Sequence, residues 1–185
     1  GGGITGLAAT RVLRDRGVRV TLLERDEDLQ AESAEDAFES WKRPGAPQIR
    51  HSHAFLGRLR SLLRDHYPDL LRALLDAGAS ELRMTDRLPQ TLPPLGVEPG
   101  DEDFVALGCR RTTFEWVMRR SMLGQPDVTL LTGVHVLGLA AASGSPPRVT
   151  GVRYRQGDGE EQTLQADLVI DASGRNSKAM DWLAA

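Results

Sequence analysis

A glycine-rich opening, followed by a helix-like and a strand-like segment, is the feature that most constrains this 185-residue chain. Residues 1–6 read GGGITG, the pattern G-x-G-x-x-G with its glycines at Gly1, Gly3 and Gly6. Residues 4–16 carry apolar side chains at helical spacing, and residues 18–24 (VRVTLLE) have the composition of a strand. In such a loop the glycines permit a tight turn, close approach of a pyrophosphate, and close packing of helix on strand. The order predicts most of a βαβ unit whose loop and helix N-terminus face phosphate groups.

An acidic residue ends the predicted strand. Glu24 follows Gly6 by 18 residues, and at this place in a dinucleotide-binding unit a carboxylate accepts hydrogen bonds from a ribose 2′-hydroxyl. Its charge would repel a 2′-phosphate, so the pattern predicts FAD or NAD(H) at this site and not NADP(H). A dinucleotide fold also has a strand before the glycine loop, and we expect one before Gly1.

The middle of the chain is predicted to be loop followed by helix. Residues 26–54 are polar and irregular and contain the prolines and glycine of Arg43-Pro44-Gly45-Ala46-Pro47-Gln48, so we expect a loop. Residues 55–77 are amphipathic and rich in leucine, and Pro68 should divide them into two helices or kink them. Residues 84–108 are rich in proline and acids and should form loops and short strands.

The second half is predicted to begin with a helix and to continue as strands. Thr112 and Glu115 have the spacing of a capping box, which predicts a helix over about residues 113–123. Short strands separated by turn residues then predict a small antiparallel meander, with segments at 128–132, 134–139, 148–155 and 162–166. The apolar run 167–171 (DLVID) suits a strand in the middle of a parallel sheet.

Composition excludes several classes of function. The chain has 23 basic and 26 acidic residues and a net charge of −3, so nothing favours nucleic acid as a partner. No apolar run is long enough to span a membrane. Cys109 is the single cysteine, which excludes a disulfide framework and a cysteine-based metal site within one chain. His51 and His53 lack further marked ligands, so we predict no metal site. With no sign of secretion, a cytoplasmic location is the default expectation.

Four segments together resemble FAD-dependent flavoproteins, and more narrowly the monooxygenases of the para-hydroxybenzoate hydroxylase type. They are GGGITGLAATRVLRDRGVRVTLLER, RPGAPQIRHSH with the leucine-rich helix after it, CRRTTFEWVMRR, and DLVIDASGRNS. The match covers nearly the whole chain in the same order. The resemblance implies an α/β fold, a Rossmann-like FAD-binding domain of the glutathione reductase type with an inserted antiparallel β-meander.

The resemblance also implies roles at the matched positions. Gly1, Gly3 and Gly6 would face the FAD diphosphate, and Glu24 the adenosine ribose. Further cofactor contacts are implied for Arg43, Arg111, Ser173 and Gly174, with Gln48 and His53 weaker candidates near the flavin or substrate. The implied reaction is oxygen transfer from a flavin C4a-hydroperoxide to a small organic substrate, with no side chain required as a nucleophile.

The last motif departs from the hydroxylase pattern. Asp-Gly is common there in the hydroxylases, whereas this chain has Asp171-Ala172-Ser173-Gly174, which is closer to halogenase-like and reductase-like relatives. NAD(P)H is therefore one candidate electron donor and a separate flavin reductase is another. A flavin-dependent halogenase, a polyene reductase, an NAD-dependent dehydrogenase and a non-catalytic nucleotide-binding remnant remain as alternative functions.

The sequence and the resemblance together predict how the chain is organised. We divide it into a βαβ remnant at 1–25, a loop and helical insertion over the flavin at 26–108, a helix at 109–127, a β-meander at 128–166 and a return to the parallel sheet at 167–185. We expect an N-terminal fragment of a longer enzyme, which lacks the first strand and the C-terminal part of the domain and is inactive alone.

Overall fold

The protein is described by a computed structural model that covers residues 1–27, 29–87 and 98–184. Part of the segment predicted to be loop and short strand, residues 88–97, lies outside the described residues. The helices are α1 Ile4–Arg14, α2 Ala34–Ser40, α3 Gly57–His66, α4 Pro68–Asp76, α5 Arg111–Met122 and α6 Ala179–Ala184. The strands are β1 Val20–Leu23, β2 Ser52–Phe55, β3 Ser80–Arg83, β4 Val105–Arg110, β5 Val128–Leu131, β6 Val134–Ala142, β7 Arg148–Gln156 and β8 Glu161–Gln165.

The chain divides into two compact units. The first comprises Gly1–Leu29 and Met122–Ala185, and the second comprises Gln30–Ser121. In the described ranges no helix has the length and apolarity that a membrane crossing needs.

A parallel strand pair and the helix after the glycine loop form one part of the first unit. Strand β1 pairs in parallel with β5, with Val20 opposite Val128 and Leu23 opposite Leu131. Leu7 of α1 is almost completely buried, and Leu22 of β1 lies against Gly6. The predicted order of glycine loop, helix and strand is therefore confirmed, and the mixed α/β Rossmann-like fold places the N-terminus of α1 beside the end of β1.

The meander of the first unit consists of β6, β7 and β8. These strands are antiparallel neighbours in that order, as the short strands and turn residues predicted. Strand β5, the first of the four predicted meander segments, belongs instead to the parallel pair with β1. Sequence alone assigned it to the meander because a short apolar run does not reveal which neighbour will pair with it.

The apolar run 167–171 does not form the predicted strand. No sheet of the described chain contains it, and Leu168 and Ile170 are 65% and 48% exposed. An extended segment becomes a strand only where a neighbour takes up its N–H and C=O groups. A continuous apolar run indicates which segment could be central in a sheet, but not whether a partner lies beside it.

The second unit contains an antiparallel sheet, the helices α2, α3 and α4, and nearly all of α5. Strand β4 is central, with β2 on one side and β3 on the other. Leu74 of α4, Leu107 of β4 and Phe114 of α5 are almost completely buried and form the centre of the apolar core. The predicted division of the leucine-rich segment at Pro68 is confirmed, because Pro68 is the first residue of α4, where a missing N–H costs nothing.

The helix predicted over about residues 113–123 is present as α5, but its capping box and the uninterrupted loop over residues 26–54 were wrong predictions. Helix α2 lies inside the stretch predicted to be loop, and the Ser33 side chain caps it by accepting a hydrogen bond from the Asp36 N–H at 3.0 Å. Helix α5 begins at Arg111, so Thr112 lies within its first turn and is not its N-cap. The Thr112 hydroxyl donates to the Ile49 carbonyl at 2.5 Å, a long-range contact that local spacing could not indicate.

Candidate functional site

The glycine loop has no room for side chains at two of its three pattern positions. A Cβ added to Gly6 would lie 1.8 Å from the Gly1 carbonyl oxygen, and a Cβ added to Gly1 would lie 2.5 Å from the Ala172 carbonyl oxygen. Gly3 is the N-cap of α1 and supplies no side-chain cap, and the first turn of α1 carries no acidic residue. The positive end of the helix dipole therefore has no neighbouring carboxylate on its own first turn.

Glu24 is buried at the end of β1, with 5% of its surface exposed. Its Oε2 accepts a hydrogen bond from the Gly2 N–H at 2.8 Å, and its Oε1 accepts one from the Asp26 N–H at 2.9 Å. The residue predicted to bind a ribose is thus held beside the glycine loop and bonded to it.

The late motif of the sequence forms a compact turn next to the glycine loop. Asp171 Oδ1 accepts hydrogen bonds from the Ser173 N–H at 2.8 Å and from the Ser173 hydroxyl at 2.6 Å, and the Ser177 hydroxyl donates to Oδ2. Partial burial alone would raise the pKa of Asp171, but these hydrogen bonds outweigh it and lower the pKa below its usual value. Gly174 has a φ of +77°, which favours glycine.

The glycine loop and the late motif are brought together in the first unit. Gly1 lies against the backbone of Ala172 and Ser173, which a Cβ on Gly1 would meet. A cavity of about 550 Å³ extends from this point between β1 and residues 164–173, and apolar side chains such as Leu13, Leu22 and Val169 line much of it. The backbone that suits a phosphate lies at the glycine-loop end of this cavity.

In the second unit, the two arginine-bearing motifs meet at the start of α5. Arg43 Nη2 lies 2.9 Å from Glu115 Oε1, and Arg111 Nε lies 3.8 Å from Glu115 Oε2. Glu115 is fully buried and Arg43 nearly so. The His51 carbonyl accepts a hydrogen bond from the Arg111 N–H at 3.0 Å, which fixes the two segments to each other. Two predicted cofactor residues, Arg43 and Arg111, are thus linked through one carboxylate.

The remaining candidates of this unit take part in local structure. The Gln48 carbonyl closes a turn by accepting from the His51 N–H at 3.0 Å, and its residue is half-buried. His53 on β2 lies opposite Cys109 of β4, and its ring is 5.5 Å from that of Phe55. Burial raises the pKa of the Cys109 thiol to about 11, which makes it a poor nucleophile at neutral pH. Among the described residues no cluster of three or more His, Cys, Asp or Glu could hold a metal ion.

Two carboxylates have structural partners that the sequence did not reveal. Glu115 was assigned to a capping box, yet it pairs with arginines, one of which is 72 residues away. Asp171 was noted only as part of the late motif, yet it organises that turn. The spacing Asp-x-Ser could have indicated the role of Asp171, because Asp side chains commonly form hydrogen bonds with the backbone two residues on. No local sequence pattern could have indicated that Glu115 pairs with Arg43.

Comparison with known proteins agrees with this geometry. Residues 1–65 match the family model of the NAD(P)-binding Rossmann-like domain. Protein Rv3254 of Mycobacterium tuberculosis is 30% identical over 195 residues, covering 99% of this chain and 38% of that protein. The chain therefore spans about two fifths of the length of this curated relative.

Solved structures extend the likeness to nearly the whole chain. The myxobacterial chondrochloren halogenase CndH, an FAD-dependent halogenase, has a TM-score of 0.59 and 23% identity, with 98% of this chain and 37% of that one covered. The protein pqsL of Pseudomonas aeruginosa, a probable FAD-dependent monooxygenase, has a TM-score of 0.54 and 15% identity, with 87% and 38% covered.

The chain has the Rossmann-like fold of the FAD-dependent flavoproteins. At these identities the similarity to solved structures establishes the fold. The fold that the flavoprotein-like sequence motifs implied is therefore confirmed.

Proposed function

We propose that this chain forms the FAD-binding part of a flavin-dependent oxidoreductase, and that the enzyme is a monooxygenase. The observation that carries the proposal is the backbone cradle of the first unit. Gly1 and Gly6 leave no space for side chains, α1 begins at Ile4 after the N-cap Gly3 without an acid in its first turn, and the late motif lies against Gly1. A diphosphate is the group that such a loop and helix N-terminus accommodate.

The residues present fit an FAD molecule at this loop. Gly1, Gly3 and Gly6 would hold the diphosphate, and the adenosine would lie on the side of Glu24. Ser173 and Gly174 belong to the turn beside the loop and are the next candidates for contact. The resemblance assigns cofactor contacts to Arg43, Gln48 and Arg111 as well. The guanidinium groups of Arg43 and Arg111 lie beside the Glu115 carboxylate. A guanidinium is also chemically suited to the phosphates of a cofactor.

FAD and the protein chain would have different roles in the proposed reaction. Bound FAD supplies two-electron redox chemistry and reaction with dioxygen, and the chain supplies binding and orientation. The proposed substrate is a small organic molecule, and the proposed electron donor is NAD(P)H or a partner flavin reductase.

A flavin-dependent halogenase is the second candidate. Asp171-Ala172-Ser173-Gly174 departs from the hydroxylase motif toward halogenase-like relatives, and the FAD-dependent halogenase CndH shares the fold. The antiparallel meander β6–β8 argues against the NAD-dependent dehydrogenase, whose second half should alternate strands and helices. Supplying chloride or bromide with a reduced flavin and dioxygen would separate the first two, because only a halogenase forms a carbon–halogen bond.

The proposal is tested by comparing the binding of FAD with that of FMN, by calorimetry on the purified protein. FMN contains the flavin but lacks the adenosine monophosphate half, which the glycine loop and Glu24 would contact. We expect FAD to bind at least a hundredfold more tightly than FMN. Equal affinities, binding of neither flavin, or preferential binding of NADH would contradict the proposal.

A further inference from the structure

The Glu24 carboxylate is already used by the backbone around it. Both of its oxygens accept backbone N–H groups, from Gly2 at 2.8 Å and from Asp26 at 2.9 Å. Hydrogen bonds to an ionised acceptor are roughly twice as strong as neutral ones. The bond to Gly2 is the relevant one for binding, because Gly2 lies between the first two glycines of the loop.

The backbone of Glu24 is fixed as firmly as its side chain. Its N–H donates to the Leu131 carbonyl at 2.8 Å, and its carbonyl accepts from the Val134 N–H at 2.9 Å. These bonds join it to the end of β5 and the start of β6. The side chain therefore connects the end of the sheet to residues 1–3 of the glycine loop, which have no side chains of their own.

We propose that Glu24 is a positioning residue, which holds the glycine loop in its binding conformation through the Gly2 N–H. This inference rests on the proposed nucleotide site. The sequence pattern assigned Glu24 to the ribose 2′-hydroxyl, and a carboxylate has lone pairs for such a contact as well. The two roles predict different effects on affinity. A positioning role changes the affinity of every ligand that binds the loop, whereas a ribose contact changes the affinity only of ligands that carry the 2′-hydroxyl.

The test crosses a substitution in the protein with a deletion in the ligand. ADP and 2′-deoxy-ADP are titrated into the wild type and into Glu24→Gln by calorimetry. In Glu24→Gln the side chain keeps one oxygen, and its NH₂ group cannot accept a hydrogen bond. At least one of the two hydrogen bonds from the Gly2 and Asp26 N–H groups is therefore lost. Glu27→Gln makes the same chemical change three residues later on an exposed side chain and is the matched control.

We expect the wild type to bind ADP and 2′-deoxy-ADP within about threefold of each other. Glu24→Gln should weaken both by the same factor, about tenfold or more, and Glu27→Gln should change neither. The proposal is overturned if the wild type prefers ADP by tenfold or more and Glu24→Gln removes that preference, since that result is the signature of a ribose contact.

A second measurement separates this inference from the proposed function. Amide hydrogen exchange followed by NMR reports whether the Gly2 N–H is bonded, with no ligand present. We expect protection of the Gly2 N–H in the wild type and in Glu27→Gln, and faster exchange in Glu24→Gln. Unprotected Gly2 in the wild type would overturn the positioning role. Protected Gly2 in a protein that binds neither ADP nor FAD would instead contradict the proposed function alone.

Discussion

At the scale of single residues, the strongest constraint is the absence of a side chain at Gly6. A methyl group there would lie 1.8 Å from the Gly1 carbonyl oxygen, which is backbone and cannot move without displacing the loop. Glycine is thus required at this position by its surroundings and not by its own backbone conformation. The same residue brings α1 against Leu22, so loop geometry and helix packing depend on one atom being absent.

We therefore predict that Gly6→Ala lowers the affinity for FAD by at least tenfold, because the loop must shift away from the phosphate position. Gly144→Ala, in an exposed turn of the same unit, meets only the Pro146 carbonyl oxygen at 3.2 Å and should leave affinity unchanged. Calorimetry with FAD on both variants checks this. Unchanged affinity in Gly6→Ala would mean that the loop does not bind the cofactor.

The second residue-scale prediction concerns Asp171. Hydrogen bonds from Ser173 and Ser177 lower the pKa of this carboxyl below its ordinary value of 3.8, against the opposing effect of partial burial. A carboxyl with a lowered pKa in the folded state stabilises the fold above its ordinary pKa, and this contribution is lost as the pH falls through the lowered value. Its size should be modest, about 1 kcal/mol, since the side chain is exposed to solvent.

Asp171→Asn should therefore lower the free energy of unfolding at pH 7 and at pH 5, and the difference from wild type should shrink below about pH 4. Urea unfolding at several pH values measures this. Asp167→Asn is the control, because Asp167 makes no hydrogen bond through its side chain in the part of the chain that the structure describes. A difference that persists unchanged at pH 2 would show that the charge of Asp171 is not involved.

Residue roles could be predicted from sequence where they depend on local spacing. The pattern of Gly1, Gly3 and Gly6 and the position of Glu24 at a strand end were readable because neighbours along the chain define them. The pairing of Arg43 with Glu115 was not, because it depends on two distant segments meeting. The cofactor roles stay predictions for all of these positions, Gly1, Gly3, Gly6, Glu24, Arg43, Gln48, Arg111, Ser173 and Gly174.

At the scale of elements, helix α4 shows how the second unit is held together. Leu74 is fully buried in its core, while the adjacent Leu75 is 37% exposed. Removing buried methyl groups costs their transfer free energy and leaves a cavity, typically about 2–5 kcal/mol for Leu→Ala. An exposed leucine loses little when truncated.

We predict that Leu74→Ala lowers the free energy of unfolding by about 2–5 kcal/mol, and that Leu75→Ala lowers it by less than about 1 kcal/mol. Both variants share the same helix and the same chemical change, so helix propensity cancels in the comparison. Urea unfolding followed by far-ultraviolet circular dichroism checks the pair. Similar losses in the two variants would contradict the assigned burial of α4.

Elements were predictable when amphipathic periodicity and turn residues agreed, as in α1, β1 and the strands β6–β8. They were missed where tertiary partners decide. Helix α2 lacks a strong apolar stripe and has a Ser33 cap, and β5 pairs with β1 across more than a hundred residues. Among the residues that the structure describes, 167–171 has no strand neighbour. Pairing of distant segments is not encoded in the local pattern of either partner.

At the scale of the whole molecule, the fold and the function rest on different observations. The Rossmann-like fold follows from the α1–β1–β5 arrangement, the meander and the agreement with flavoprotein structures along nearly the whole chain. The proposed oxidoreductase activity depends on a cofactor binding at the loop of the first unit. One observable, the presence of a flavin, therefore tests the account more directly than any measurement of turnover.

That measurement is the visible absorption spectrum of the purified protein, followed by chromatography of the cofactor released on denaturation. The account predicts a flavin spectrum, with FAD as the released molecule, or quantitative uptake of FAD if the protein is purified without it. A colourless protein that cannot be reconstituted with FAD, or one that releases FMN, would contradict the assignment of the glycine loop to an FAD diphosphate.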